Sequence, residues 1–312
     1  MKLAIHFFIF GSALLSCAPL SKVDPRCSFF GPPELVTILS LPTDQEGLPL
    51  STEEPYPSRD GNFLFFNSGT GEGGKDLHFA KMTTQGWKYA GTLGPGVNTP
   101  KEVEGNPTMD RQGFFYFIDS GVPEMVRGGQ FSPDGALLGL KPISGIPCRK
   151  VDILRQRAVG NMGVEVSANG STLYFDRAVW RLEGLKVGPI LSCEILLLER
   201  KSTGFVFDEP HARNIFSNIN NGDINYAESI SPDDLEIFFT RLSASDIKSG
   251  LLRSCILRST RTTPGEAFRI PEMIASIGDR EFVEGPALTD DGHTLYYHKR
   301  VGSKFRLYRV CR

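Results

Sequence analysis

Six glutamates carry the chemistry worth weighing: Glu53, Glu54, Glu104, Glu165, Glu228 and Glu284. They lie in or near short stretches that lead into a turn and an aromatic run, so carboxylates recur at comparable places along the chain. Gathered together, they could hold a polar or cationic ligand. A pair could also cleave a glycosidic bond, if an acid and a base or nucleophile face each other at about 5–5.5 or 6.5–9.5 Å. The competing reading, and the preferred one, is that they accept hydrogen bonds between neighbouring repeats or face solvent. Other chemistry is thin. There is no Gly-x-Ser-x-Gly elbow, no His-Glu-x-x-His and no Cys-x-x-Cys, so neither a metal nor a cofactor is expected. Gly69-Thr-Gly-Glu-Gly-Gly74 mimics a phosphate loop, but strand-like residues follow it rather than a helix whose first amides would hold the anion. The histidines His78, His211, His293 and His298 are scattered. His293 and His298 read as surface or packing residues, and Trp87 and Trp180 as packing.

The elements that must position these side chains are strands. Five segments share one layout, a short strand, a polar turn and an aromatic strand: 54–66, 106–118, 163–175, 227–239 and 285–297. Their turn residues Gly61, Gly113, Gly170, Asp234 and Gly292 suit the positive φ that reverses a chain, and Asp tolerates it better than most residues. Aromatic and β-branched residues follow, which favour a buried pleated surface. The intervals (61 to 113, 113 to 170, 170 to 234, 234 to 292) leave room for four antiparallel strands each. No amphipathic helix of convincing length is visible, and regular turn signals between short strands predict an all-β protein.

Composition narrows the function classes. The chain has 312 residues, 40% hydrophobic and 22% charged, as a globular protein should. Thirty-four Lys and Arg against 36 Asp and Glu give a net charge of -2, so there is no basic excess to bind nucleic acid. Met1-Lys2 precedes an apolar run from Leu3 to Leu15, too short for a comfortable membrane span and laid out like a secretory signal. It ends in Leu14-Leu15-Ser16-Cys17, which resembles the lipobox of bacterial lipoproteins. Residues 1–16 are therefore expected to be a signal peptide, Cys17 a lipid anchor and 17–30 a tether, with Ala18 favouring the outer membrane. Membrane contact is expected through that anchor only.

The run Gly73-Gly74-x-Asp76, Gly86-Trp87, Leu93-Gly94, Val97-Asn98-Thr99 and Glu104-Gly105-Asn106-Pro107, with the Ser231-Pro232-Asp233 turn, resembles the WD-repeat-like propeller repeats of TolB-type bacterial proteins. The resemblance spans nearly all of residues 30–312 and implies a β-propeller over 31–312; the five repeats, with end segments that together make up about one repeat, give a count of five blades. Six blades is the alternative, because Phe131-Ser-Pro-Asp-Gly135 also looks like a repeat turn. It sits too soon after Gly113 for a full blade and reads better as an inner hairpin of the second. The strand-like Glu34–Leu39 has no blade of its own and is expected to complete the last one, closing the ring. Closure would bring Cys27 near Cys311, where a disulfide would restrict the unfolded chain. In a propeller the first strand of each blade lines the channel, which makes Glu54, Glu104, Glu165, Glu228 and Glu284 the candidate binding residues. Some five-bladed propellers cleave sugars with channel carboxylates. The resemblance itself implies a non-catalytic scaffold that engages an envelope protein or a polymer such as peptidoglycan, with a glycan hydrolase or sugar-binding module as the alternative.

Overall fold

The computed structural model describes residues 29–70, 74–184 and 186–312. The expected leader, Cys17 and Cys27 lie outside the described residues. The first two strands are short, β1 (Glu34–Leu35) and β2 (Ile38–Leu39). Next come β3 (Glu53–Pro57), β4 (Phe63–Gly69), β5 (Lys75–Thr83) and β6 (Gly86–Thr92). A second group is β7 (Glu104–Met109), β8 (Phe114–Asp119), β9 (Val126–Phe131) and β10 (Leu137–Pro142). A third is β11 (Lys150–Asp152), β12 (Arg157–Val166), β13 (Thr172–Glu183), β14 (Lys186–Lys201) and β15 (Gly204–Val206). A fourth is β16 (Ile224–Ile230), β17 (Glu236–Leu242), β18 (Cys255–Thr260) and β19 (Glu272–Met273), and β20 (Val283–Leu288), β21 (Thr294–Val301) and β22 (Lys304–Cys311) follow. Within each group consecutive strands pair antiparallel, the third and fourth groups being joined by one parallel pairing at Cys193 and Ile224. The inner strands β3, β7, β12, β16 and β20 pack against one another in that order, and β20 packs back on β3. The chain is an all-β propeller fold.

The turns explain why the sequence bends where it does. In four repeats a hydroxyl three residues before the turn residue bonds the Asp or Asn two positions on, as Ser58 does to Asp60 at 2.5 Å and Ser231 to Asp233 at 2.7 Å. The same oxygen accepts an amide five positions on, from Phe63 or Glu236, at 2.9 Å. In the second repeat Asp110 replaces the hydroxyl and accepts the Gln112 and Phe114 amides directly. The turn residues all have positive φ, from 60° at Asp234 to 81° at Gly113. After each turn the aromatic residues split between the two faces of the sheet, and Phe65, Phe115, Tyr174, Phe175, Phe238, Phe239 and Tyr297 are buried.

The closing strand forms as expected: Glu34 pairs with Arg309 and Leu35 with Tyr308, antiparallel. The segment then crosses to the first sheet, where β2 runs parallel to β6, Ile38 opposite Trp87. Packing begins by Phe30, which is buried against Phe238 and lies under the Arg312 guanidinium. Cys311 is disulfide-bonded, while Cys148, Cys193 and Cys255 are free. The Phe131–Gly135 turn joins β9 and β10, so it lies at the outer edge of the second sheet rather than the inner.

Two short helices were not foreseen. α1 (Glu209–Ile215) is capped by Asp208, which accepts the His211 amide, and buries Ala212 and Ile215. α2 (Ala244–Lys248) is capped by Ser243. Each is one or two turns long, too short to leave a 3.6-residue pattern.

Candidate functional site: the channel and its seams

Each inner strand breaks its pairing register, four at the same repeat position and β12 one residue earlier, in a β-bulge that frees one backbone amide per strand. At the bulge Glu54, Asn106, Ala227 and Gly285 have positive φ, of 49° to 62°. The preceding sheet supplies an acceptor for every freed amide. Glu54 Oε2 takes the Asn106 amide at 2.6 Å, Asn106 Oδ1 the Val164 amide at 2.7 Å, and Asp176 Oδ2 the Ala227 amide at 2.6 Å. Thr240 Oγ1 takes the Gly285 amide at 3.1 Å. His298 Nδ1 takes the Glu54 amide at 3.0 Å, which completes the circle. Because Nδ1 accepts, the ring proton sits on Nε2, 3.1 Å from Glu284 Oε2.

The six glutamates divide among these seams. Glu54, Glu165 and Glu228 line one central cavity, together with Asn106 and Tyr56. Its water-accessible volume is about 20 Å³, room for roughly one water. Glu54 is also held by Asn67 at 2.6 Å, and Glu53 binds Lys75 at 2.8 Å. Burial opposes charge on Glu54, but the Lys75 ammonium and the Asn106 amide outweigh it and hold the carboxyl below its usual range. Glu165 accepts from Thr108 at 2.5 Å and lies 3.5 Å from Arg59. Burial pushes it up to about 7 despite that guanidinium. Glu228 is buried beside Asp176, and burial raises both, Asp176 to about 6. Their mutual repulsion adds to the rise at Glu228. Gly163 makes room for this pair, since a Cβ there would collide with the Asp176 carboxylate.

Glu104 and Glu284 stand apart from that cavity. Glu104 is fully buried, accepts from Thr99 at 2.6 Å and is raised by burial. Glu284 accepts from the Tyr226 hydroxyl and meets His298. Of the two readings for His298, packing holds: it is a buried seam residue in the interior of β21. His78 is buried against Phe66, and Trp87 is buried as expected. Among the described residues no cluster of His, Cys, Asp and Glu is placed to hold a metal ion, and no helix is long and apolar enough to cross a membrane.

Sequence reasoning found the glutamates but missed their partners. Asp176, Thr240 and His298 occupy one repeat position, six residues after each turn residue, with Asn67 as its first-sheet counterpart. Four residue types at one position hide the pattern. Lys75 and Arg59 were also missed, since nothing local marks a lone cation as facing a channel.

No family model matches the chain, and no curated protein does. Solved structures do. A protein described as a glycoside hydrolase is similar at TM-score 0.56 and 11% identity, over 89% of this chain and 90% of that one. TolB from Acinetobacter baumannii is similar at TM-score 0.47 and 12% identity, over 85% of this chain but 55% of that one. The catalytic domain of a family 62 α-L-arabinofuranosidase from Coprinopsis cinerea is similar at TM-score 0.48 and 12% identity, over 91% and 97%. At these identities the likeness shows the fold alone, and that fold is the β-propeller.

Proposed function

We propose that this protein is a non-catalytic five-bladed propeller, anchored through Cys17 at the bacterial outer membrane, that binds an envelope protein or an envelope polymer. The observation that carries the reading is the use of the channel carboxylates. Glu54 and Glu165 accept backbone amides across seams, Glu228 is buried against Asp176, and the space between them takes about one water. A glycosidase needs two carboxyls free to meet a sugar from opposite sides, with room for the ring. That requirement counts against hydrolysis or sugar binding by these carboxylates. What remains for recognition is a rigid ring with loops at both ends.

Three measurements test the proposal. Purified protein incubated with a panel of envelope and plant glycans should release no reducing ends above buffer. Release abolished by Glu165→Gln or Glu228→Gln would overturn the non-catalytic reading. Crosslinking in intact cells should trap a discrete partner or polymer, and its absence at native expression would overturn the scaffold reading. Cys17→Ser should move the protein from the membrane to the soluble fraction, and retention on the membrane would overturn the anchor.

A further inference from the structure

Three sheets end their third strand with the same device. Arg200, Arg261 and Arg312 each donate from Nε to the carbonyl of the turn residue of their own sheet, Gly170, Asp234 and Gly292, at 2.7 Å. Each guanidinium also lies over an aromatic ring, Phe205 and Phe268 at 4.3 Å and Phe30 at 5.0 Å. Two copies are sealed: Arg261 and Arg312 are only 5% and 8% exposed. Arg312 is neutralised by Glu236, which takes two of its N–H groups at 2.6 and 2.8 Å. Its cleft, between the fourth and fifth sheets, holds 200 Å³ and is acidic, with Asp233, Asp290 and Asp291.

The third copy differs. Arg200 is exposed and stands in a cleft of 520 Å³ between the second and third sheets, within the size range of small-molecule sites. It donates to the Tyr116 hydroxyl at 2.6 Å and, among the described residues, has no carboxylate in ion-pair range. Phe114 stands where the fourth sheet has Glu236. Lys141 adds a second cation to the lining. Asp110, the one carboxylate among the described residues that line the cleft, already accepts the Gln112 and Phe114 amides through Oδ1. The wall offers the half-buried Phe114 ring, backed by the buried Tyr116 ring at 4.9 Å between centroids, and the amide side chains of Gln130 and Asn169.

We propose that this cleft binds a carboxylated saccharide, with the acid group on Arg200 and Lys141 and the ring against the aromatic wall. A guanidinium with unused donors matches a carboxylate in plane. Amide side chains both donate and accept, as sugar hydroxyls require. A bare inorganic anion would use the cations but leave the aromatic wall uncovered. The inference deepens the polymer-binding reading by naming a ligand class, and the two fail separately, because none of the tests above involves Arg200.

Isothermal titration with a galacturonic acid trisaccharide and its neutral galactose counterpart tests it. The acidic sugar should bind, and the neutral one should bind at least 10-fold more weakly. Arg200→Gln should weaken acidic-sugar binding by about 10- to 100-fold, the range of a charge-assisted hydrogen bond. Because Arg200 also braces Gly170, a second variant, Thr203→Trp, fills the cleft from its exposed rim and should block binding with an unchanged melting temperature. Equal binding of the two sugars, no binding of the acidic one at millimolar concentration, or full binding by both variants would overturn the proposal.

Discussion

The seam between the third and fourth sheets and the seam between the fifth and the first serve the same purpose with different chemistry. At the first, the Ala227 amide is received by Asp176, a carboxyl paired with the buried Glu228. At the second, where the ends of the chain meet, the Glu54 amide is received by the His298 imidazole. There the covering is structural: β1 pairs with β22 and β2 with β6, and Leu64, Phe66 and Trp87 of the first sheet pack with Tyr296 and Leu307 of the fifth. The contrast teaches that a seam continuous in sequence tolerates an unfavourable charge pair, while the seam that closes the ring is built from backbone pairing and packed surface. A buried carboxyl pair is poor evidence for stability, and here it sits where the chain already ties the sheets together.

The contrast can be broken, the largest effect first. Arg312→Met should cost about 3–5 kcal/mol, because Glu236 keeps Arg258 but loses two buried charge-assisted hydrogen bonds. Chemical denaturation measures it, and a loss under about 1 kcal/mol would mean that the last sheet does not depend on this pair. His298→Ala should cost about 2–3 kcal/mol, leaving the Glu54 amide without its acceptor and a cavity beside Phe305. Thr240→Val, at the neighbouring seam, gives the like-for-like comparison and should cost about 1–2 kcal/mol.

The other seam should respond in the opposite sense. Asp176 and Glu228 titrate higher folded than unfolded, so the folded chain keeps protons that the unfolded chain releases. Stability present below about pH 4, the unfolded carboxyl range, is then lost as pH rises through about 6 at Asp176, and Glu165 extends the loss to about 7. Glu228→Gln should raise stability at pH 7.5 by about 1–2 kcal/mol and flatten that slope. Melting temperatures from pH 4 to 8 check it, and a profile parallel to the parent protein would refute the assignment. The smallest effect belongs to Glu34→Ala. Its ion pair with Arg309 is partly exposed, so the cost should stay within about 0.5 kcal/mol even though the strand that carries it closes the ring.

The fold was legible because its punctuation is local. Gly61, Gly113, Gly170, Asp234 and Gly292 sit in turns whose hydrogen bonds span at most five residues, so their chemistry is written beside them. Closure could be read from Glu34–Leu39, a strand with no neighbour of its own in sequence. The site was legible only in part. Glutamates at recurring places were visible, but what they do depends on partners fifty or more residues away, as with Glu54 and Asn106 or Asp176 and Ala227. The arginine device was hidden for a related reason. Arg200 and Arg261 find their rings a few residues onward, whereas Arg312 finds Phe30 from the opposite end of the chain.

That last contact sets a timetable. Ribosomes and export channels deliver a polypeptide from its amino end, so Phe30 and Glu34 emerge long before Arg309 and Arg312 exist to receive them. Throughout synthesis the nascent chain carries an open edge and an unshielded aromatic ring, both invitations to aggregate. The final cooperative step must wait for the last few residues, and a helper that shields the early segment until then would raise the yield of native protein more than one acting on the middle of the chain.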